Sequence, residues 1–287
     1  MFESLLLHPK TKKSLERFAD APAHAVILIG PVGAGKTTLG HALAAQILSI
    51  EPSALDNYPY FMQIRRQKDK QDISIEAIRE VNQALRLQVP GSAVLRRVIL
   101  LQDAHHMNQE AQNAFLKSLE EPPADTVFIL TSTAKASLLP TIISRAQSIV
   151  VHPVSLEHLP NSDEPAVKSA WQLSQGAVGL FSSLLKDEDE DLKTAVDQAK
   201  RFLQKTPYER LIELDSLSRD KERLNLLLDG LARVMQALYK AAARKDNKKQ
   251  VANLLAAMKT VGQARQDLDT NVLSRLIALR LAVNLSI

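Results

Sequence analysis

The stretch Gly30-Pro31-Val32-Gly33-Ala34-Gly35-Lys36-Thr37 has the pattern GxxxxGK[ST], and it lies between an apolar run, Ala25–Ile29, and a helical pattern over 37–48. Four of the nine glycines fall between residues 30 and 40. Glycine at these places lets the backbone turn its N–H groups onto an anion, and the start of the helix adds positive potential. Lys36 is placed to reach the β- and γ-phosphates of a nucleotide, and the Thr37 hydroxyl to ligate Mg²⁺. Thr38, on the same helical turn, and Thr131, on a later strand, complete the candidate set. Further β-type runs at 60–64, 98–101, 126–131 and 148–151 alternate with helical stretches. That alternation predicts an α/β domain around a five-stranded, mostly parallel, doubly wound sheet.

An ATPase built on such a loop also needs carboxylates at the end of a neighbouring strand, one to hold Mg²⁺ through water and usually a second to orient the attacking water. The run 98–101 is followed by Gln102-Asp103-Ala104-His105-His106, so Asp103 is the one acidic candidate where a pair is wanted. Weak or absent hydrolysis by the chain alone is the expectation. His105 and His106 read as polar residues at a strand-to-helix turn, or as groups near the phosphates. The chain has no cysteine, and its histidines show no HxxxH or HExxH spacing, which excludes thiol catalysis and thiolate zinc sites. The only metal expected is one held mainly by oxygens and phosphate.

The 36 Lys and Arg against 32 Asp and Glu leave a net charge of +4, too little to announce a nucleic-acid protein. The basic stretches 65–68 and 244–249 read as solvated faces before DNA contacts. No apolar run approaches the roughly eighteen residues of a membrane span, and the start MFESLLLHPKTKK lacks a signal-type core. A cytoplasmic protein with no membrane partner is expected.

All thirteen prolines lie at or before Pro207, and the chain beyond it keeps only Gly230 and Gly262. That tail reads as three amphipathic helices, marked by Leu224, Leu228, Leu231, Met235 and Leu238, by Val251, Leu254, Leu255 and Met258, and by Val272, Leu276, Leu279 and Val283. Leu273, Ile277 and Leu281 add a second apolar row to the last helix, which suggests contact with another subunit. Between sheet and tail, Val167, Trp171, Phe181, Leu184, Leu192, Val196, Ala199 and Phe202 pattern short helices. These are broken near Gly176 and by the acidic run 187–191, which reads as solvated helix-start sequence. The expected domains are 1–153, 154–206 and 207–287.

Residues 108–123, NQEAQNAFLKSLEEPP, resemble the AxNALLKTLEEPP signature of bacterial DNA polymerase III clamp loaders, which are AAA+ proteins. The likeness continues in Val127-Phe128-Ile129-Leu130-Thr131-Ser132-Thr133, similar to the family's sensor-1 strand. Thr141-Ile142-Ile143-Ser144-Arg145-Ala146-Gln147 is similar to its TILSRCQ arginine-finger motif, with Ala146 replacing Cys. The segment 72–80 and His24-Ala25 match shorter family patterns. The resemblance covers 1–153 almost throughout, the middle weakly through Leu173-Ser174-Gln175-Gly176, and the tail only through Asn271-Val272.

What the resemblance implies is an AAA+ P-loop domain followed by a small helical lid and an all-α collar. It implies ATP or ADP with Mg²⁺ as ligand. The implied partners are the other clamp-loader subunits of a hetero-oligomeric ring, a sliding clamp and, through the complex, primed DNA. Arg145 would be an arginine finger acting in trans, where the residues alone also allow a surface ion pair. The family's motor subunits carry Asp-Glu where this chain has Gln102-Asp103, and an Arg where it has Gly179. Both departures point to the stator-like, delta-prime type of subunit. The zinc-binding Cys quartet of many relatives is absent, so no zinc is expected. The alternatives are a catalytically active motor subunit of the gamma/tau type and a nucleotide-free scaffold whose loop is vestigial.

Overall fold

A strand covered on both faces must be apolar throughout, whereas an edge strand keeps polar positions. β1 (Ala25–Ile29), β3 (Arg97–Leu101) and β4 (Thr126–Ser132) are buried along almost their whole length, and β2 (Phe61–Ile64) and β5 (Gln147–Val150) are not. The sheet order follows from this, β2-β3-β4-β1-β5, with every pairing parallel. The computed structural model describes residues 2, 5–67, 72–87, 89–90, 94–159, 161–185, 190–244, 247–269 and 272–285. Lys68, residues 187–189, Lys245 and Asn271, all singled out from the sequence, lie outside the described residues.

Successive side chains on a strand point to opposite faces. One face collects Val26, Leu28, Val98, Leu100 and Ile129 against α1 (Pro9–Asp20) and α2 (Lys36–Leu48), through Leu15, Phe18, Leu39 and Leu43. The other collects Ile27, Ile99, Leu101, Phe128 and Leu130 against α3 (Ile75–Ala84), α4 (Gln109–Glu120) and α5 (Pro140–Arg145), through Ile78, Val81, Phe115 and Ile142. The Phe115 and Phe128 rings meet edge-on, with centroids 5.3 Å apart. A Cβ at Gly40 would stand 2.8 Å from Leu100 Cδ1, so glycine is what lets α2 lie this close to the sheet. At the outer edge, the Thr11 hydroxyl of α1 accepts the His152 N–H at 3.0 Å and donates to the Val150 carbonyl at 3.3 Å.

α5 begins at Pro140, because Leu139 precedes a proline and is held extended. α4 starts on Asn108, whose side chain accepts the Ala111 N–H, and ends before Pro122-Pro123.

The chain divides into two compact units, residues 1–162 with 176–180, and residues 163–175 with 181–287. The second is helical: α6 (Pro165–Ser174), the body of α7 (Val178–Leu185), α8 (Glu190–Gln204), α9 (Pro207–Leu217), α10 (Lys221–Arg244), α11 (Lys248–Asp269) and α12 (Ser274–Asn284). Among the described residues the tail therefore has four helices where periodicity predicts three. α9 begins with a capping box, Thr206 and Glu209 each bonding the other's backbone N–H, with Pro207 at its first position. The apolar rows of α12 are also reversed. Ile277 and Leu281 are buried within the unit, and Leu276, Leu279 and Val283 face outward. Arg210 is buried and donates to the carbonyls of Phe202, Leu203 and Leu285 at 3.1, 2.6 and 2.9 Å, tying the end of α8 and the C-terminal segment to α9. No helix among the described residues is long and apolar enough to cross a membrane.

Candidate nucleotide-binding site

The loop between β1 and α2 turns at Gly33 and Gly35, with φ of 77° and 78°, a region in which side chains are strained. Gly35 caps α2 with no side-chain hydrogen bond, and no acidic residue sits in the first turn. The first N–H groups of the helix are left without a side-chain acceptor, as an anion site requires. Lys36 is 6% exposed, and its Nζ donates to the Pro31 carbonyl at 2.9 Å. Burial pulls its ammonium below the usual lysine range, and the carboxylate of Asp103 partly offsets this. A buried cation that donates to a neutral carbonyl and meets no carboxylate in direct contact is a receptor for an anion. Gly30 and Ala34 are buried, Gly33 and Thr37 half-buried, and Pro31, Val32 and Thr38 exposed.

Beyond β3, Asp103 takes a left-handed conformation, φ 50°, and its N–H donates to the buried Thr131 hydroxyl at 2.8 Å. The expected Thr131 thus meets the expected Asp103, and Asp103 lies within electrostatic reach of Lys36. Gln102 accepts at Oε1 from Gln63 Nε2 at 3.0 Å. Gln63 in turn faces His41, whose other ring nitrogen lies 3.0 Å from the Thr37 carbonyl. His41 and Gln63 are not found by sequence reasoning, since only the register of β2 against β3 brings them to Gln102. Burial, with help from neighbouring His106, holds the His105 imidazole below its ordinary range, and its Nδ1 has no hydrogen-bond partner among the described residues.

Two further positions bear on the chemistry. Leu180 donates its N–H to the Gly33 carbonyl at 3.0 Å, and a Cβ at Gly179 would come 2.9 Å from that same oxygen. The segment 176–180 therefore packs directly on the loop, and Gly179 has no room for the arginine that motor subunits carry. Arg145, by contrast, is on α5, across the sheet from α2. Its guanidinium pairs with Glu120 at 2.9 Å and donates to the Thr141 carbonyl at 3.1 Å, so it is an ion pair here and not part of this loop's site.

Among the described residues no cluster of histidines and carboxylates is placed to hold a metal ion by itself. The Thr37 hydroxyl, the Asp103 carboxylate and the Gln102 amide are hard oxygen donors, a set that fits Mg²⁺ brought in on a nucleotide.

A GxxxxGKT loop opening a helix beside a five-stranded parallel sheet, followed by a helical unit, defines a P-loop protein of the AAA+ class. A family model described as DNA polymerase III, delta subunit, matches residues 8–155, just over half of the chain, and the chain belongs to that family. It is 36% identical over 165 residues to the DNA polymerase III subunit delta-prime of Pseudomonas aeruginosa, a match covering 50% of this chain and 49% of that one. It is 29% identical over 250 residues to the delta-prime subunit of Haemophilus influenzae, covering 80% and 75%. The chain thus spans about half the length of the first relative and three quarters of the second. A DNA polymerase III gamma subunit-related protein of Thermotoga maritima shares the fold, with a TM-score of 0.50 and 21% identity over 96% of this chain and 98% of that one.

Proposed function

We propose that the chain is a delta-prime-type clamp-loader subunit that holds ATP or ADP with Mg²⁺ at the 30–37 loop and hydrolyses it poorly alone. With the other subunits of a hetero-oligomeric ring, it would help load a sliding clamp onto primed DNA. The observation that carries the nucleotide part is Lys36, a buried ammonium at an uncapped helix start. Membership of the family supports the ring, and so do the outward apolar side chains Leu276, Leu279 and Val283 of α12 and Ile212 of α9. On this reading 1–153 is the AAA+ domain, 154–206 the lid and 207–287 the collar.

The residues divide the work as follows. Backbone N–H groups of 33–37 and the Lys36 ammonium bind the phosphates, and Thr37 and Asp103 supply oxygens for Mg²⁺. Bound Mg²⁺ would neutralise phosphate charge. Gln102 carries no charge, and Gly179 brings no cation to the γ-phosphate, so the chain's own site lacks two parts of the hydrolytic set. Arg145 would leave Glu120 to reach a γ-phosphate held by a neighbour and stabilise charge there. The Leu180 to Gly33 contact favours a second reading, a nucleotide-free scaffold whose loop is closed by its own chain.

Titration with a non-hydrolysable ATP analogue, on the chain alone and in the assembled ring, separates the two. Saturable binding that weakens about tenfold or more in Lys36→Ala supports the first. No binding in either state supports the scaffold.

A further inference from the structure

α4 ends on Glu120, with Glu121 as its cap, so two carboxylates sit where the helix already presents unpaired carbonyls. Negative charge at this end weakens a helix, so α4 itself gains nothing from them. α5, a six-residue helix opened by Pro140, ends on Arg145. The Arg145 guanidinium answers both helix ends at once: Nη2 lies 2.9 Å from Glu120 Oε1, and Nη1 donates to the Thr141 carbonyl at 3.1 Å. A guanidinium carries five N–H groups, so these two contacts leave three for another acceptor. The pair is open to solvent, with the Arg145 side chain 36% and that of Glu120 50% exposed, so the arginine is held without being buried. A carboxylate offers a rival acceptor one charge to beat, whereas a terminal phosphate brings about two charges and three oxygens.

We infer that Glu120 is a positioning residue for Arg145: it keeps the guanidinium on its own subunit, yields it to the more highly charged γ-phosphate of a neighbour's nucleotide, and so sets how much ATP is needed before the arginine engages. The inference rests on the reading of Arg145 as a residue that acts in trans. Glu120 and the phosphate compete for one cation. Whatever stabilises the Glu120 pair is given up in every state in which Arg145 touches phosphate, the transition state included. The consequence therefore falls on turnover below saturating ATP, where the free ring and the transition state are the states compared.

The test measures DNA-stimulated ATP turnover, at ATP well below half-saturation, in rings assembled to the same extent. The rings carry the wild-type chain, Glu120→Gln, Arg145→Ala or the double variant. Glutamine keeps the size of glutamate and loses its charge. The Arg145-dependent part of turnover, the difference between rings with and without the arginine, should rise about twofold to fivefold in Glu120→Gln, the span of an exposed ion pair. The gain should fade as salt is raised, because an exposed pair is screened. In the Arg145→Ala background Glu120→Gln should leave turnover unchanged, since the two residues act as one unit. Glu120→Ala removes the acceptor as well as the charge and should give at least as large a gain, which keeps the test open should one variant fail to fold. A pair that merely braced α4 against α5 would lower the melting temperature of the chain and turnover with it. Unchanged or lower turnover in Glu120→Gln, or a gain of equal size in the Arg145→Ala background, overturns the inference while leaving Arg145 its role in trans. Undiminished turnover in the Arg145→Ala ring overturns that role, and the inference with it.

Discussion

Replacing Lys36 with methionine should make the ligand-free protein more stable and remove its response to nucleotide. The side chain is 6% exposed, and its ammonium donates to one carbonyl, that of Pro31. A hydrogen bond from a charged group contributes about 1.5–3 kcal/mol, whereas taking an ammonium out of water costs several kcal/mol. With Asp103 offsetting part of the difference, the empty site carries a net cost on the order of 1–2 kcal/mol. Methionine keeps the length and apolar stem without the charge. For a unit of this size each kcal/mol is about 2–4 °C, so the first unit should melt about 2–8 °C higher in Lys36→Met. An ATP analogue at a hundred times its dissociation constant should then raise the wild-type transition by about 2.7 kcal/mol and leave the variant nearly unmoved.

The pH dependence has a defined sign. Burial holds the folded-state pKa of Lys36 below its unfolded value, so the cost is full below the folded pKa. It is relieved as pH rises from there toward the unfolded value, and the gap between wild type and Lys36→Met should narrow on the alkaline side. Scanning calorimetry with and without analogue measures both effects. A ligand-free Lys36→Met chain that melts at or below the wild type would refute the argument and make the Pro31 bond a structural one.

In rings assembled to the same extent, Arg145→Ala should depress DNA-stimulated ATP turnover while leaving this chain's own analogue affinity unchanged; equal turnover would leave Arg145 as the ion pair with Glu120 and nothing more. Gly179→Arg should not restore hydrolysis, because its Cβ meets the Gly33 carbonyl at 2.9 Å; turnover rising to that of a motor subunit, measured by phosphate release, would show that the segment yields freely. Arg210→Met should cost about 3–5 kcal/mol in the second unit, since it removes three charge-assisted hydrogen bonds to the Phe202, Leu203 and Leu285 carbonyls, and urea unfolding followed by circular dichroism reads this directly.

Much of the first unit was legible because its signals are local. A buried parallel strand must be a continuous apolar run, and β1, β3 and β4 fall within a residue of the runs at 25–29, 98–101 and 126–131. The phosphate loop is legible for a like reason, as its glycines and lysine are contiguous. α9 was missed although Thr206-Pro207-Tyr208-Glu209 carries a capping signal, because its exposed Tyr208 and Ile212 blur the apolar period. The two apolar rows of α12 are equally periodic, so nothing in the sequence tells which one packs within the unit. His41 and Gln63 depend on strand register, a relation between segments far apart in sequence. The pairing of Arg145 with Glu120 depends on how the ends of α4 and α5 meet, which neither motif encodes.

The Thr11 hydroxyl at the outer edge has a consequence for the protein in crowded solution. Among the described residues β5 has a neighbour on one side only, and such a strand is a template on which another chain can add itself, rung by rung. The Val150 carbonyl and the His152 N–H are the groups an incoming strand would bind, and Thr11 satisfies both from within the same molecule. α1 itself packs beside β5, on the side from which a further backbone would come. One threonine thus acts as a stopper against edge-to-edge growth into aggregates, at the end of the sheet where the strand is too short and too polar to be hidden in a core.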